Sequence, residues 1–251
     1  MKLLTTIILS LVTVIVLLTG NFYWQDRTQV NHFTSESTNG KAVSNDDLIA
    51  ETSHWPKQAQ SDFKQALKDG KTYKIAIVGS KAMGTTKKGW AHDLKQALLH
   101  TYGEHVSVSL FPYDVNSDQF IASNLYKKVA DAQPNLVLFE PFILNDNGAV
   151  DPENAHQDLL TAVGAWKDAV VIIQPSFPLY QATNYPEQVS QLKKFVKAHK
   201  LVYLDHWQNW PDTNSEALKN DLKFENGEQV GPNAKGNAIW YHYVRDYFIA
   251  N

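Results

Sequence analysis

From Tyr73 onward the chain alternates between two textures. Short apolar, β-branched runs give way to longer stretches in which apolar residues recur every three or four positions. The short runs, 73–79, 106–111, 136–140, 169–174 and 201–204, mostly follow polar or turn residues and predict strands. The longer stretches, 90–102, 117–132, 152–166, 185–199 and 233–249, predict helices. A further helix is expected after Trp55-Pro56, where proline suits a first turn and Phe63 and Leu67 are spaced to share a face. Strand and helix in strict alternation mean βαβ units, so the expected fold class is a three-layer α/β/α domain around a parallel sheet.

The N-terminal region has a different texture. Residues 3–19 carry no charge and are nearly all Leu, Ile, Val or Thr, with Lys2 before them and Tyr23, Trp24, Asp26 and Arg27 after. As a helix these roughly 17 residues would rise about 26 Å, close to the hydrocarbon thickness of a bilayer. An uncleaved membrane anchor is expected over residues 1–24, because no small-x-small cleavage site follows and the aromatic pair suits an interfacial belt. A cleaved signal is the alternative, which would leave the protein secreted. Leu17-Leu18-Thr19-Gly20 is similar to the start of a lipoprotein signal, but Asn21 stands where the lipidated cysteine is needed. Lys2 on the short side predicts a cytoplasmic N-terminus and an extracytoplasmic body. Residues 25–53 are rich in Ser, Thr, Asn, Asp and Gln and are expected to form a flexible stalk, leaving 54–251 as the folded domain.

Composition narrows the function classes. The 251 residues, 43% hydrophobic, suffice for one substantial core. A net charge of -3 without a long basic run gives no footprint for nucleic acid. The lack of cysteine fits an exported protein that does without disulfides. The scattered histidines have no metal-ligand spacing, and no metal or other cofactor is expected.

Candidate chemistry gathers at strand ends. The run Tyr73-Lys74-Ile75-Ala76-Ile77-Val78 stops at Gly79-Ser80, which delivers a hydroxyl to the crevice beyond the carboxyl ends of the sheet. Asn145-Asp146 follows the third strand, and Pro232-Asn233-Ala234-Lys235-Gly236 opens the last helix. In this order the three segments resemble the blocks of the SGNH/GDSL hydrolases: a Gly-Asp-Ser turn, a Gly-x-Asn-Asp turn and an Asp-x-x-His-Pro-Asn-x-x-Gly segment. The resemblance spans residues 73–249. Gly79-Ser80-Lys81-Ala82-Met83-Gly84, with the Trp55-Pro56 and Gly89-Trp90 pairs, is similar to a membrane-anchored subgroup from Gram-positive bacteria.

That resemblance implies a flavodoxin-like sheet and a serine esterase or acyl transferase acting on O-acyl groups of cell-envelope glycans, or on a small ester. Ser80 would be the nucleophile, with Gly79, Asn145 and Asp146 at the oxyanion or substrate. The departures are as informative. Ser80 follows Gly79 without the intervening Asp, so its equivalence to the nucleophile is open by one position. Ile143 replaces the third-block glycine, and no second-block glycine is found in 113–117. Glu228 falls at the last block's Asp position and Gly231 at its His position.

A serine hydroxyl needs a base to take its proton, and glycine cannot serve. His206, after the fifth strand, and Glu228 are the replacement candidates, whereas His242 lies too far down its helix. Lys81 is either an anion contact or a surface lysine, and Trp207, Trp210, Tyr180 and Tyr185 either a sugar-stacking platform or filler. Two readings follow: an active esterase with a non-standard base, or a pseudoenzyme that binds glycan or scaffolds envelope assembly. A base supplied by a partner protein would also account for Gly231.

Overall fold

The computed structural model describes residues 44–250. The expected anchor and most of the expected stalk lie outside the described residues; among the described ones no helix is long and apolar enough to cross a membrane.

Five strands, β1 (Tyr73–Ser80), β2 (Val106–Tyr113), β3 (Leu136–Phe139), β4 (Val170–Ile173) and β5 (Val202–Tyr203), form one sheet in the order β2-β1-β3-β4-β5. Every neighbouring pair is parallel. β3 is buried throughout, because the sheet is covered on both faces, and this accounts for its unbroken apolar sequence. Tyr73, Ile75, Ile77, Leu136, Leu138 and Ile172 point to one layer of helices, and Ala76, Val78, Val137, Phe139, Val171 and Ile173 to the other.

The first layer contains α1 (Asn45–Glu51), α2 (Lys57–Lys68), α3 (Trp90–Tyr102) and α10 (Ala234–Phe248). The second contains α4 (Ser117–Ala122), α5 (Leu125–Asp131), α7 (Pro152–Ala165) and α8 (Asn184–Ala198). Local chemistry sets their starts. Asp151 caps α7 ahead of Pro152, Asn116 and Gln119 form a reciprocal capping box on α4, and Asn233 caps α10 by accepting from the amides of Lys235 and Gly236. The end of α10 is held by Trp55 Nε1 and the Tyr102 hydroxyl, which both donate to the Phe248 carbonyl, at 2.9 and 2.6 Å.

Three expectations need correction. Residues 44–53 belong to the folded body and not to a stalk: α1 has its own capping box at Ser44, Leu48 and Thr52 are buried, and the Ala250 amide donates to the Glu51 carbonyl. The helix expected over 117–132 is two helices, because Asn124 adopts a left-handed backbone with φ 53°. The region before α10 holds an antiparallel hairpin, β6 (Leu222–Glu225) and β7 (Glu228–Pro232), turned at Asn226-Gly227 with φ 52° and 86°.

Candidate active site

With strand order 2-1-3-4-5, the chain reverses direction across the sheet between β1 and β3, and the crevice at such a switch point is where doubly wound folds bind ligands. Val78 pairs with Phe139, so the residues beyond them, Gly79-Ser80 and Glu140, lie side by side at that crevice. Glu140 reaches across it. Its Oε1 accepts from Ser80 Oγ at 2.8 Å and its Oε2 accepts from the Ser80 amide at 3.1 Å. Gly79 is what allows this approach, since a Cβ there would sit 2.5 Å from Glu140 Oε2 and 2.9 Å from Glu140 Cβ.

Ser80 and Glu140 are both buried, at 4% and 1% exposure. Ser80 Oγ also accepts from the Ala82 amide, capping the single 3-10 turn Lys81–Met83. Burial pushes the Glu140 carboxyl up to about 7, against the pull of the Ser176 and Ser80 donors. The Ser176 hydroxyl, just beyond β4, faces the same carboxylate without completing a well-formed hydrogen bond. Tyr185 at the start of α8 is buried against this group, and its own hydroxyl has no partner. Burial and the nearby Glu140 and Tyr203 hold the Tyr185 phenol well above its ordinary range.

Lys81 turns the other way. Its Nζ meets Asp114 Oδ2, beyond β2, at 2.5 Å in an exposed pair across the rim. β7, which carries Gly231, packs against the same 3-10 turn. Gly231 is buried, yet a Cβ there would meet nothing within 4 Å. Two more glycines close the turn, as a Cβ on Gly84 would fall 2.3 Å from the Lys88 carbonyl and 2.7 Å from Gly89 Cα.

Asn145 and Asp146 sit on the one-turn helix α6 (Ile143–Asp146). The Asn145 amide donates to the Val115 carbonyl at 2.8 Å, and Asp146 Oδ1 accepts from the Ser117 amide at 2.7 Å. Asp146 is buried with Oδ2 unpartnered. Burial pushes its carboxyl up to about 6, with Ser117 opposing and Asp158 and Asp118 adding to the rise.

The two replacement bases are not brought to Ser80. His206 is fully buried and stacked on Trp240; its Nε2 bonds the Pro175 carbonyl at 2.9 Å and its Nδ1 accepts from Trp210 Nε1 at 3.0 Å. That pattern defines a neutral ring with the proton on Nε2 and no free lone pair, and burial pushes its pKa down to about 3. Glu228 is exposed at the base of the hairpin turn, and His242 is exposed on α10; neither bonds Ser80. The aromatic residues do not form a platform. Tyr185 and Trp210 are buried, and half-buried Trp207 donates to the Ser176 carbonyl at 2.7 Å.

Glu140 is the functional-site residue that sequence reasoning missed. Its signal was a charged residue closing an otherwise all-apolar strand, where an unpaired charge is expensive to bury.

No family model and no curated protein matches the sequence. Solved structures do match. A GDSL-like lipase from Bacteroides thetaiotaomicron VPI-5482 superposes with a TM-score of 0.54 at 13% identity, covering 75% of this chain and 97% of that one. The lipase/acylhydrolase from Enterococcus faecalis gives 0.57 at 14% identity, covering 69% and 94%. A catalytic mutant of Axe2, an acetylxylan esterase from Geobacillus stearothermophilus, gives 0.56 at 15% identity, covering 70% and 94%. The chain therefore has the three-layer fold of the GDSL/SGNH lipases and esterases.

Proposed function

We propose that this chain is an extracytoplasmic, membrane-anchored protein of the Gram-positive SGNH type that binds an acylated envelope glycan, or a small ester resembling one, without hydrolysing it. One observation carries this reading: the hydroxyl and the amide of Ser80 are both turned into the core and held by Glu140. An acyl-transfer site needs a hydroxyl free to attack and N–H donors aimed at the developing oxyanion. Here the Ser80 amide is bonded to Glu140 and the Asn145 amide to Val115. His206 has no free lone pair, and position 231 has no side chain.

The register of the first block supports the same view. Laid on a Gly-Asp-Ser turn, Gly79-Ser80-Lys81 puts Ser80 at the Asp position and Lys81 at the nucleophile position. Lys81 is the residue that reaches the rim, beside β7 with Gly231. The two positions that would react are thus a lysine paired with Asp114 and a glycine. The external address is proposed from residues 3–19, and the glycan ligand is proposed from that address together with the likeness in fold to an acetylxylan esterase.

The Ser80–Glu140 hydrogen bond also favours a second reading, a serine esterase with a carboxylate base. At 2.8 Å, and with its carboxyl raised to about 7, Glu140 is placed and tuned to take the Ser80 proton as Oγ attacks an ester carbonyl. The departing alcohol would then take that proton back, and water would release the acyl group.

Fluorophosphonate labelling of the full-length chain and of Ser80→Ala, followed by intact mass, separates the two. Binding without hydrolysis predicts no adduct on the wild-type chain, together with retention of acetylated envelope glycan on an array. An adduct that disappears in Ser80→Ala would overturn it and establish the esterase.

A further inference from the structure

β2 is an edge strand. Among the described residues it pairs with β1 alone, over all eight of its positions and without a bulge. The opposite edge strand, β5, is only two residues long, and Lys193 Nζ lies over its Tyr203 ring.

The ladder fixes which backbone groups of β2 are free. The Glu140 amide donates to the Val78 carbonyl, so the even-numbered residues of β1 turn toward β3 and the odd-numbered ones toward β2. With Ile75 opposite Val108, the residues of β2 that bond β1 are Ser107, Ser109, Phe111 and Tyr113. Val106, Val108, Leu110 and Pro112 turn outward. Pro112 has no N–H, and the Val106 amide donates to the Gly103 carbonyl. That leaves the amides of Val108 and Leu110. Among the described residues, no backbone group outside the sheet bonds these amides or the carbonyls of the same residues. Sheet edges are commonly blunted by charged side chains or bulges, yet no residue of Val106–Tyr113 is charged. Ser107 and Ser109 are exposed, so a strand arriving there meets small side chains.

We propose that this edge joins two copies of the chain, β2 against β2 in antiparallel, about a two-fold axis through Ser109. In that register the edge is complementary to itself. Val108 of each copy exchanges N–H and C=O bonds with Leu110 of the other, so every bond formed is reciprocal and both free amides are used. Pro112 and the engaged Val106 amide end the ladder on either side. Serine faces serine on the axis, where opposite Cα atoms approach to about 4.5 Å, and on the other face Val108 of one copy lies beside Leu110 of the other. The two five-stranded sheets become one. Antiparallel copies point their strand ends in opposite directions, so the two crevices open at opposite ends of the joined sheet. Each copy keeps its own crevice, and the inference is independent of whether that crevice hydrolyses or only binds.

Light scattering of the full-length chain in mild detergent, beside Ser109→Cys, Ser107→Cys and Ser109→Lys, tests this. Wild type is expected to have the mass of two chains. The chain has no cysteine, so any disulfide is the introduced one. Ser109→Cys should cross-link to itself on mild oxidation, because opposite Cα atoms on the axis are within the roughly 4.4–6.8 Å that a disulfide spans. Ser107→Cys, which would face Phe111 of the second copy, should not. Ser109→Lys sets two like charges on the axis and should return the chain to a monomer with its circular dichroism unchanged. A wild-type monomer overturns the proposal; if its Val108 and Leu110 amides resist hydrogen exchange, a segment of residues 1–43 holds the edge in place of a second copy. A dimer that survives Ser109→Lys, or that cross-links through Ser107→Cys, has its contact elsewhere and overturns the proposal as well.

Discussion

Trp240 lies flat on His206, with ring centroids 4.3 Å apart and 11° between the planes, and Trp90 stacks on the far side of Trp240 at 4.6 Å. A histidine at the end of an aromatic stack, with both nitrogens engaged, works as packing and as a hydrogen-bond bridge between the β4 loop and Trp210. His206→Phe keeps the stack but strands the Pro175 carbonyl and the Trp210 N–H. A loss of about 2–4 kcal/mol is expected by urea unfolding. The pH profile should change as well. A histidine whose folded pKa is depressed to about 3 contributes stability that is present above its ordinary 6.5 and lost as pH falls toward 3. Below pH 6.5 the variant should lose stability less steeply than wild type, and an unchanged acid slope would contradict the neutral, buried ring.

Gly79→Ala and Gly164→Ala form a matched pair. At Gly79 the new methyl would press on Glu140 Oε2 and Cβ, so the Ser80–Glu140 bonds must shift, with an expected cost of about 1–3 kcal/mol. At Gly164, on α7, a Cβ meets nothing within 4 Å, and removing a helical glycine should stabilise by about 0.5–1 kcal/mol. Thermal melts of the two variants should therefore move in opposite directions. A neutral Gly79→Ala would mean that Glu140 is not seated where the structure has it.

Much of this architecture was legible because its central strands, β1, β3 and β4, are mostly buried on both faces. β3 reads as an unbroken apolar run, as does β1 from Ile75 to Val78, and α3 begins and ends where its periodicity does. The β6–β7 hairpin was not read, although Leu222-Lys223-Phe224-Glu225 alternates and Asn226-Gly227 is a strong type I′ turn pair, because the alternation lasts only four residues and the second strand does not continue it. The break at Asn124 is a single left-handed residue inside a continuous helical pattern. The candidate crevice was legible only in part. Sequence placed Ser80 at the sheet edge but not the direction of its hydroxyl, because that direction is set by Glu140, 60 positions away. His206 was legible as a residue near the edge, but only the tertiary stack shows both of its nitrogens to be occupied.

Removing residues 1–53 tests where the body begins. The loss takes away α1, the burial of Leu48 and Thr52, and the bond from the Ala250 amide to the Glu51 carbonyl. Burying one leucine contributes about 1.5–3 kcal/mol, so a chain beginning at His54 should unfold at distinctly lower urea than one beginning at Val43. Equal midpoints would return residues 44–53 to the stalk.

The register of the first block makes a gain-of-function prediction. If Lys81 occupies the nucleophile position and Gly231 the base position, the variant Lys81→Ser with Gly231→His places a hydroxyl and an imidazole on two segments that already pack together, the 3-10 turn and β7. A Cβ at position 231 meets no atom within 4 Å, but the backbone there has φ 159°, so the histidine is accommodated at a cost in stability that thermal melts of Gly231→His alone should show. Lys81→Ser also removes the pair with Asp114, which is exposed and contributes little to stability. Ser80 remains bonded to Glu140 in the variant and serves as the internal control. The double variant should acquire a fluorophosphonate adduct at position 81 and slow hydrolysis of an acetyl ester, with neither single variant labelled. Reactivity at Ser80 in any of these chains would show that the register is wrong by the one residue in question.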